Sequence, residues 1–127
     1  MSKILIVDDD ELIRLLYSVE LSEDGYEPVM AETGNDLLET IKKERPDLVI
    51  LDVNMVDYNG LEILRDIRNH FYDLPVVLST IYDSFKEDMR SIAADFCVLK
   101  SFDLTELKEK IAMAHETRPT VDSLLLG

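Results

Sequence analysis

Side chains able to do chemistry stand at the ends of four short apolar runs in this sequence. In chain order, the runs lead into Asp8 and Asp9, Asp52, Ser79 and Thr80, and Lys100. Carboxylates that converge in a small space repel one another unless a cation neutralises them, so three such acids are typical of a metal site. Oxygen ligands and a need for open water positions favour Mg²⁺, with Mn²⁺ as a substitute.

Asp52 is the best-placed nucleophile among these acids. It directly follows the fully apolar run Leu48–Leu51, and an aspartate carboxylate can accept a phosphoryl group as an acyl phosphate. Phosphoryl transfer needs positioned positive charge, which Mg²⁺ and the Lys100 ammonium could supply while the Thr80 hydroxyl donates to a phosphoryl oxygen. Asp10 is assigned to capping the first helix and not to the metal.

These residues meet only if the chain folds as an open parallel sheet. Strand-like runs alternate with segments of helical periodicity, which predicts an α/β fold with helices on both faces of the sheet. We expect strands over residues 3–8, 26–30, 47–52, 75–79 and 95–99. Pro28 favours an edge position for the second strand, which matches the strand order 2-1-3-4-5. In such a sheet, ligands bind beyond the carboxyl ends of the strands where the order reverses.

Helical segments are predicted between the strands and after the last one. Apolar residues recur at helical spacing and are expected to form core faces: Leu12/Leu16/Val19, Leu37/Leu38/Ile41, Leu61/Leu64/Ile67 and Leu104/Leu107/Ile111. Three capping boxes mark helix starts: Asn59-x-x-Glu62, Ser84-x-x-Glu87 and Asp103-x-x-Glu106. Residues 83–93 form the most charged of these helices. Phe96 and Phe102, which flank the fifth strand, are expected to pack into the core.

Size and composition limit the classes of function. The 127 residues fit one domain, which we place at residues 1–117, followed by a tail at 118–127. A formal net charge of −14 disfavours autonomous nucleic-acid binding. No apolar run reaches the roughly 18 residues of a membrane span. The N-terminus does not resemble a secretory signal, and Cys97 is the only cysteine, so we expect a cytoplasmic location.

The motifs taken together resemble those of the response-regulator receiver family. The resemblance extends from Lys3 to about His115 and rests on Ile4-Leu-Ile-Val-Asp-Asp9, Leu51-Asp-Val-Asn-Met55, Asn59-Gly60, Pro75-Val-Val-Leu-Ser-Thr80 and Val98-Leu-Lys100. It implies one doubly wound, flavodoxin-like domain with a five-stranded parallel sheet in the order 2-1-3-4-5.

The resemblance also implies roles for individual residues. Asp52 would be the phospho-acceptor, with Thr80 and Lys100 as its catalytic partners. Asp9, Asp52 and the backbone carbonyl of Asn54 would bind Mg²⁺ directly, and Asp8 would bind it through water. The chain would then catalyse only its own phosphoryl transfer and dephosphorylation, as a signalling domain of a two-component system.

Partners follow from the same resemblance. The donor would be a phosphohistidine on a sensor histidine kinase or a phosphotransfer protein. A downstream protein would bind the face made by the fourth predicted helix, the fifth strand and the fifth predicted helix. No direct contact with nucleic acid or a membrane is expected, and a homodimer through that face is compatible with the sequence.

Four positions depart from the family pattern. Val56 replaces the proline that usually follows Met55, and Ile81 stands after Thr80 where a small residue is common. Cys97 replaces the usual aromatic switch residue, and Ser101 replaces the proline after Lys100, so we expect a trans peptide there.

Three other functions are considered. An aspartyl-phosphate phosphatase would need an acid where Asn54 stands. A receiver-like module that is never phosphorylated would not need this set of acids. A flavin carrier of flavodoxin type would need a phosphate-binding loop after the first strand, and none is visible.

Overall fold

The computed structural model describes residues 2–55, 59–81 and 94–116, which form a five-stranded sheet and four helices. The strands are β1 (Lys3–Val7), β2 (Glu27–Ala31), β3 (Leu48–Asp52), β4 (Val76–Thr80) and β5 (Phe96–Leu99). Each bound lies within one residue of its predicted position. The order is β2-β1-β3-β4-β5, and all neighbours pair in parallel. The predicted order is therefore confirmed, with Pro28 in an edge strand.

Helices cover both faces of the sheet, as predicted. They are α1 (Glu11–Glu23), α2 (Leu37–Glu44), α3 (Gly60–His70) and the last helix (Thr105–Glu116). One buried cluster joins α2 and α3 to the sheet, and a second joins α1 and the last helix to the opposite face. The predicted helix at residues 83–93, its capping box from Ser84 and the predicted tail at 118–127 lie outside the described residues. None of the described helices is long and apolar enough to span a membrane.

Side-chain caps fix where two of the helices begin, close to the carboxyl edge of the sheet. Asp10 accepts a 2.9 Å hydrogen bond from the Leu12 N–H at the start of α1, which confirms its predicted capping role. Asn59 accepts one of 2.9 Å from the Leu61 N–H at the start of α3. These bonds satisfy backbone donors that have no partner within the helix.

Gly60 allows α3 to start directly against the end of β3. A Cβ atom on Gly60 would lie 2.7 Å from the Val53 Cα and 3.0 Å from the Asp52 backbone oxygen. Such contacts are too short for any side chain, so only glycine permits this approach. The Asn59-Gly60 pair thereby holds the turn after Asp52 in place.

The predicted core face of α1 is wrong at Leu12 and Val19, although Leu16 packs against the core as expected. Leu12 is 71% exposed and Val19 is 48% exposed, whereas the buried residues of α1 are Tyr17 and Leu21. Two different sets of apolar residues recur at helical spacing on α1, and periodicity does not tell which of them meets the sheet. The expectation for Phe102 is also wrong, because its side chain is 86% exposed. The other three predicted core faces pack against the sheet.

Alternation along the strands determines which face each site residue occupies. Ile6, Ile50 and Val98 all belong to the cluster under α1 and the last helix. Side chains two positions apart on a strand share a face. Asp8, Asp52 and Lys100 follow those three residues by two positions, so they continue the same face beyond the core.

Candidate functional site

Three carboxylates meet at the carboxyl edge of the sheet. One oxygen from each of Asp8, Asp9 and Asp52 lies within 4.8 Å of the other two. Asp8 and Asp52 are buried, at 2% and 1% exposure, while Asp9 is exposed. The cluster therefore has a buried floor and one acid open to solvent. The structure brings together the three acids that the sequence selected.

Lys100 lies between the two buried carboxylates. Its Nζ is 3.0 Å from Asp8 Oδ2 and 3.1 Å from Asp52 Oδ1. Burial is the largest single influence on the Lys100 pKa and lowers it, but the two carboxylates together outweigh burial and leave the pKa raised. Lys100 is therefore a firmly charged ammonium directly beside the proposed acceptor.

One oxygen of the Asp52 carboxylate is hydrogen-bonded, and the other has no hydrogen-bond partner among the described residues. Asp52 Oδ1 accepts a 3.0 Å hydrogen bond from the Asn54 N–H, whereas Asp52 Oδ2 is buried with no hydrogen-bond partner among the described residues. Burial raises the pKa of Asp52, and the neighbouring Asp8 charge adds to the rise, although the Asn54 N–H and Lys100 oppose it. The site is thus short of positive charge when only Lys100 is present.

These features fit a hard cation with oxygen ligands. Two of the three clustered carboxylates contact the Lys100 ammonium, and an unsatisfied carboxylate oxygen in a buried position is costly unless something coordinates it. Mg²⁺ prefers carboxylate and carbonyl oxygens and keeps water in part of its shell. The assignments of Asp9, Asp52 and the Asn54 carbonyl as direct ligands, and of Asp8 through water, remain predictions.

Thr80 lies at the end of β4 with its side chain fully buried. Its hydroxyl donates a 3.0 Å hydrogen bond to Asn54 Oδ1. The backbone of Lys100 also donates a 2.8 Å bond to the Thr80 carbonyl oxygen, so the ends of β4 and β5 are tied together. Lys100 therefore contacts Asp52 directly, and Thr80 is linked to the turn after Asp52 through Asn54. The peptide bond after Lys100 is trans, as expected.

Sequence reasoning missed the parts played by two side chains around this cluster. The Asn54 amide holds Thr80, whereas the sequence suggested only its backbone carbonyl as a ligand. Arg14 of α1 donates a 2.7 Å hydrogen bond from Nη1 to the backbone oxygen of Asp8. The Asn54 contact joins residues far apart in the chain, and the Arg14 contact depends on the side-chain rotamer. The spacing of residues along the chain therefore does not predict either of them.

Comparison with known proteins identifies relatives of this chain. The family model of the response regulator receiver domain matches residues 4–112. The chain is 38% identical over 120 residues to the response regulator MprA of Mycolicibacterium vanbaalenii, covering 92% of this chain and 52% of that protein. It is 36% identical over 124 residues to MprA of Mycobacterium avium, covering 95% and 54%. The chain therefore spans about half the length of these curated relatives.

Solved structures share the fold of this chain. The response regulator TrrA of Thermotoga maritima in complex with Mg²⁺ and BeF superposes with a TM-score of 0.83 at 43% identity, covering 90% of this chain and 99% of that one. A structure of the histidine kinase ThkA in complex with TrrA matches with a TM-score of 0.82 at 44% identity, covering 90% and 98%.

Proposed function

The chain belongs to the response-regulator receiver family, and from this we propose that it accepts a phosphoryl group on Asp52. The observation that carries the assignment is the contact between the Lys100 ammonium and Asp52 Oδ1, at 3.1 Å. Two further carboxylates lie beside Asp52, and its Oδ2 has no hydrogen-bond partner among the described residues. A carboxylate so placed is a nucleophile with positive charge already positioned beside it.

Phosphoryl transfer to Asp52 forms one P–O bond and breaks one P–N bond of the donor. An oxygen of the Asp52 carboxylate supplies the electron pair for the new P–O bond. The P–N bond of a donor phosphohistidine breaks, and its electron pair returns to the imidazole ring. Negative charge on the phosphoryl oxygens grows during this step, and the Lys100 ammonium and the Thr80 hydroxyl are the donors available to stabilise it.

Mg²⁺ would be held by Asp9 and Asp52 with the Asn54 backbone carbonyl, and by Asp8 through water, and Mn²⁺ would serve as a substitute. A bound divalent ion supplies charge that offsets the repulsion between the carboxylates and the incoming phosphoryl group. The neighbour TrrA, whose structure contains Mg²⁺ and BeF, supports this assignment. The chain would then catalyse only its own phosphorylation and the later loss of the phosphoryl group.

The donor would be a sensor histidine kinase or a phosphotransfer protein, and exposed apolar side chains support a docking surface for it. Leu12 and Leu15 of α1 are 71% and 57% exposed, and Ile81 and Phe102, just after β4 and β5, are 59% and 86% exposed. All four stand near the carboxyl edge of the sheet, where a donor must approach Asp52. Apolar patches beside a reactive site are typical of protein interfaces. The complex of ThkA with TrrA supports a kinase as the occupant.

The proposed output surface lies on the side of the protein that carries β5 and the last helix. A downstream protein, or a second copy of the chain, would bind the face that includes β5, the last helix and the predicted helix at residues 83–93. The strong negative charge disfavours direct binding of nucleic acid by this domain. The domain bounds at residues 1–117, the tail at 118–127 and a cytoplasmic location remain predictions.

Intact mass measurement after incubation with a small acyl phosphate donor tests the proposed function. We expect one phosphoryl group per chain in the presence of Mg²⁺ and none when EDTA removes divalent ions. Loading that proceeds equally well in EDTA would contradict the metal assignment. A chain that never loads in either condition would favour a receiver-like module without phosphorylation.

A further inference from the structure

An arginine of α1 reaches back to the turn that carries two of the clustered carboxylates, and the phosphoryl-transfer chemistry described above does not use it. Arg14 Nη1 donates a 2.7 Å hydrogen bond to the backbone oxygen of Asp8. The other amino group, Nη2, lies 3.9 Å from Glu32 Oε2. The Arg14 side chain is 15% exposed, whereas that of Glu32 is 78% exposed. The closer partner of this charge is therefore a neutral carbonyl group.

The place of Arg14 in the helix does not explain a positive charge there. Arg14 is the fourth residue of α1, at the end of the helix where the backbone dipole disfavours a cation. A guanidinium that loses most of its hydration also carries a desolvation cost, which an ion pair of 3.9 Å with an exposed carboxylate offsets only weakly. The hydrogen bond to the Asp8 backbone is thus the stronger of its two contacts.

The bond from Arg14 completes a set of contacts that restrains Asp8 at every polar group. The Asp8 N–H donates a 3.1 Å bond to the backbone oxygen of Ala31. Asp8 Oδ1 accepts a 2.9 Å bond from the Asp10 N–H, and Asp8 Oδ2 lies 3.0 Å from Lys100 Nζ. Arg14 holds the remaining group, the carbonyl oxygen. Both the backbone and the side chain of Asp8 are therefore fixed.

Asp9 stands in the middle of this restrained turn. The peptide that leads into Asp9 begins at the carbonyl group that Arg14 holds. The residue that follows, Asp10, is tied to Asp8 through its N–H and caps α1 with its side chain. Asp9 is the exposed acid of the carboxylate cluster, so the backbone of the turn, and not burial, keeps its side chain near Asp52.

We propose that Arg14 is a positioning residue for metal binding, because it holds the Asp8 carbonyl so that the Asp9 carboxylate is already placed to bind a divalent cation together with Asp52. Ligands that are fixed in advance lose less conformational freedom when they bind. Groups that orient metal ligands are typically worth on the order of 10- to 100-fold in affinity. The inference rests on the proposed function, in which Asp9 and Asp52 are the direct carboxylate ligands.

The charge of Arg14 and its hydrogen bond affect Mg²⁺ affinity in opposite directions. The positive charge repels a divalent cation, so loss of the charge alone would tighten Mg²⁺ binding. The hydrogen bond orders the turn, so loss of the bond weakens Mg²⁺ binding. Solvent and salt screen the repulsion at a site that is open on one side, and we expect the hydrogen bond to dominate. The sign of the change in affinity therefore distinguishes the two roles.

Three variants separate the hydrogen bond from the charge. Arg14→Met removes both. Arg65→Met is the matched control, because Arg65 is an exposed arginine of α3, on the opposite face of the sheet, and its loss changes the net charge equally. Glu32→Gln removes only the ion pair with Arg14. The dissociation constant for Mg²⁺ is measured by NMR titration of each metal-free protein, and the melting temperature in EDTA reports whether each variant is folded.

We expect Arg14→Met to raise the dissociation constant for Mg²⁺ roughly 10-fold, the lower end of the usual range, because the lost charge acts in the opposite direction. Arg65→Met and Glu32→Gln should stay within about two-fold of the unmodified protein. Loading of Arg14→Met from acetyl phosphate should need correspondingly more Mg²⁺ but reach the unmodified rate when Mg²⁺ is saturating. In the unmodified protein, Mg²⁺ should shift the guanidinium ¹⁵N signal of Arg14 and leave that of Arg65 in place.

An unchanged or lower dissociation constant in folded Arg14→Met would overturn the inference. If Arg14→Met does not fold, the guanidinium signals of the unmodified protein decide, and an Arg14 signal that Mg²⁺ does not move would overturn it equally. An unmodified protein that binds Mg²⁺ but never loads would instead contradict the proposed acceptor function. The Mg²⁺ affinities would still test the role of Arg14 in that event, so the two failures are distinguishable.

Discussion

The Thr80 hydroxyl donates a 3.0 Å hydrogen bond to the side-chain oxygen of Asn54. The N–H of the same Asn54 binds Asp52 Oδ1 at 3.0 Å. One residue thus holds both the proposed acceptor and the hydroxyl proposed to bind the phosphoryl group. Because Thr80 cannot donate its single proton twice, binding of a phosphoryl oxygen requires release of Asn54.

Asn54→Ala should therefore shift the unphosphorylated protein toward the phosphorylated arrangement of Thr80. One net hydrogen bond corresponds to a population change on the order of 2- to 10-fold. NMR of the Thr80 methyl group should show the unphosphorylated variant displaced part of the way toward the phosphorylated protein. A Thr80 signal identical to that of the unmodified protein would mean that Asn54 does not restrain Thr80.

Asp52→Asn should stabilise the metal-free protein at neutral pH. Burial raises the folded-state pKa of Asp52 above its ordinary value of 3.8, so the protonated form favours the native state. This contribution is complete below pH 3.8 and is lost as pH rises through the raised pKa. The amide group that replaces the carboxyl in Asp52→Asn does not titrate, so the variant avoids the loss.

Urea unfolding in EDTA at a series of pH values checks this prediction. The stability advantage of Asp52→Asn should grow from acid to neutral pH, whereas Asp73→Asn, at an exposed acid, should show no such growth. An advantage that is largest at acid pH would have the wrong sign and would contradict the burial argument.

Mg²⁺ should raise the melting temperature of the protein, because it binds the folded site and not the unfolded chain. A concentration one hundred times the dissociation constant would add about 2.7 kcal/mol to the free energy of unfolding. Asp9→Asn should weaken this effect, since Asp9 is the exposed member of the carboxylate cluster. Differential scanning fluorimetry over a Mg²⁺ titration measures the rise in melting temperature. An equal rise in Asp9→Asn and in the unmodified protein would remove Asp9 from the ligand set.

Leu12→Ser and Leu15→Ser should slow phosphorylation by a kinase or phosphotransfer protein while leaving loading from acetyl phosphate unchanged. The reason is that both residues offer exposed apolar area near the start of α1, whereas loading from acetyl phosphate depends on the chemistry at Asp52. Tyr72→Ser is the control, because Tyr72 is 87% exposed and lies in the connection that leads into the opposite end of β4. If the variants lose the same fraction of phosphorylation rate with a protein donor and with acetyl phosphate, the site is damaged and the docking surface is not the cause.

The sequence was sufficient to predict the sheet and most of the site. Asp8, Asp52 and Lys100 follow apolar runs of β type, and parallel strands bring such ends to one edge regardless of their separation along the chain. Pro28 marked the edge strand for a reason that is local to the residue, its missing N–H. Chemistry that backbone topology determines can therefore be predicted from the order of residues along the chain.

Contacts between side chains of different elements were not predictable in the same way. On α1, Leu12 and Tyr17 both belong to apolar stripes of helical spacing, and only packing against the sheet decides that Tyr17 is buried. The bond from Thr80 to Asn54 depends on the turn after β3, which the close approach of Gly60 shapes. Such features arise from three-dimensional packing, for which the periodicity of one segment carries no signal.

The most direct test of the central claim is intact mass measurement of the unmodified protein and Asp52→Asn after incubation with acetyl phosphate and Mg²⁺. The acceptor assignment predicts one base-labile phosphoryl group on the unmodified protein and none on Asp52→Asn, with both proteins folded by circular dichroism. Undiminished phosphoryl incorporation in folded Asp52→Asn would contradict it and would place the acceptor elsewhere in the chain.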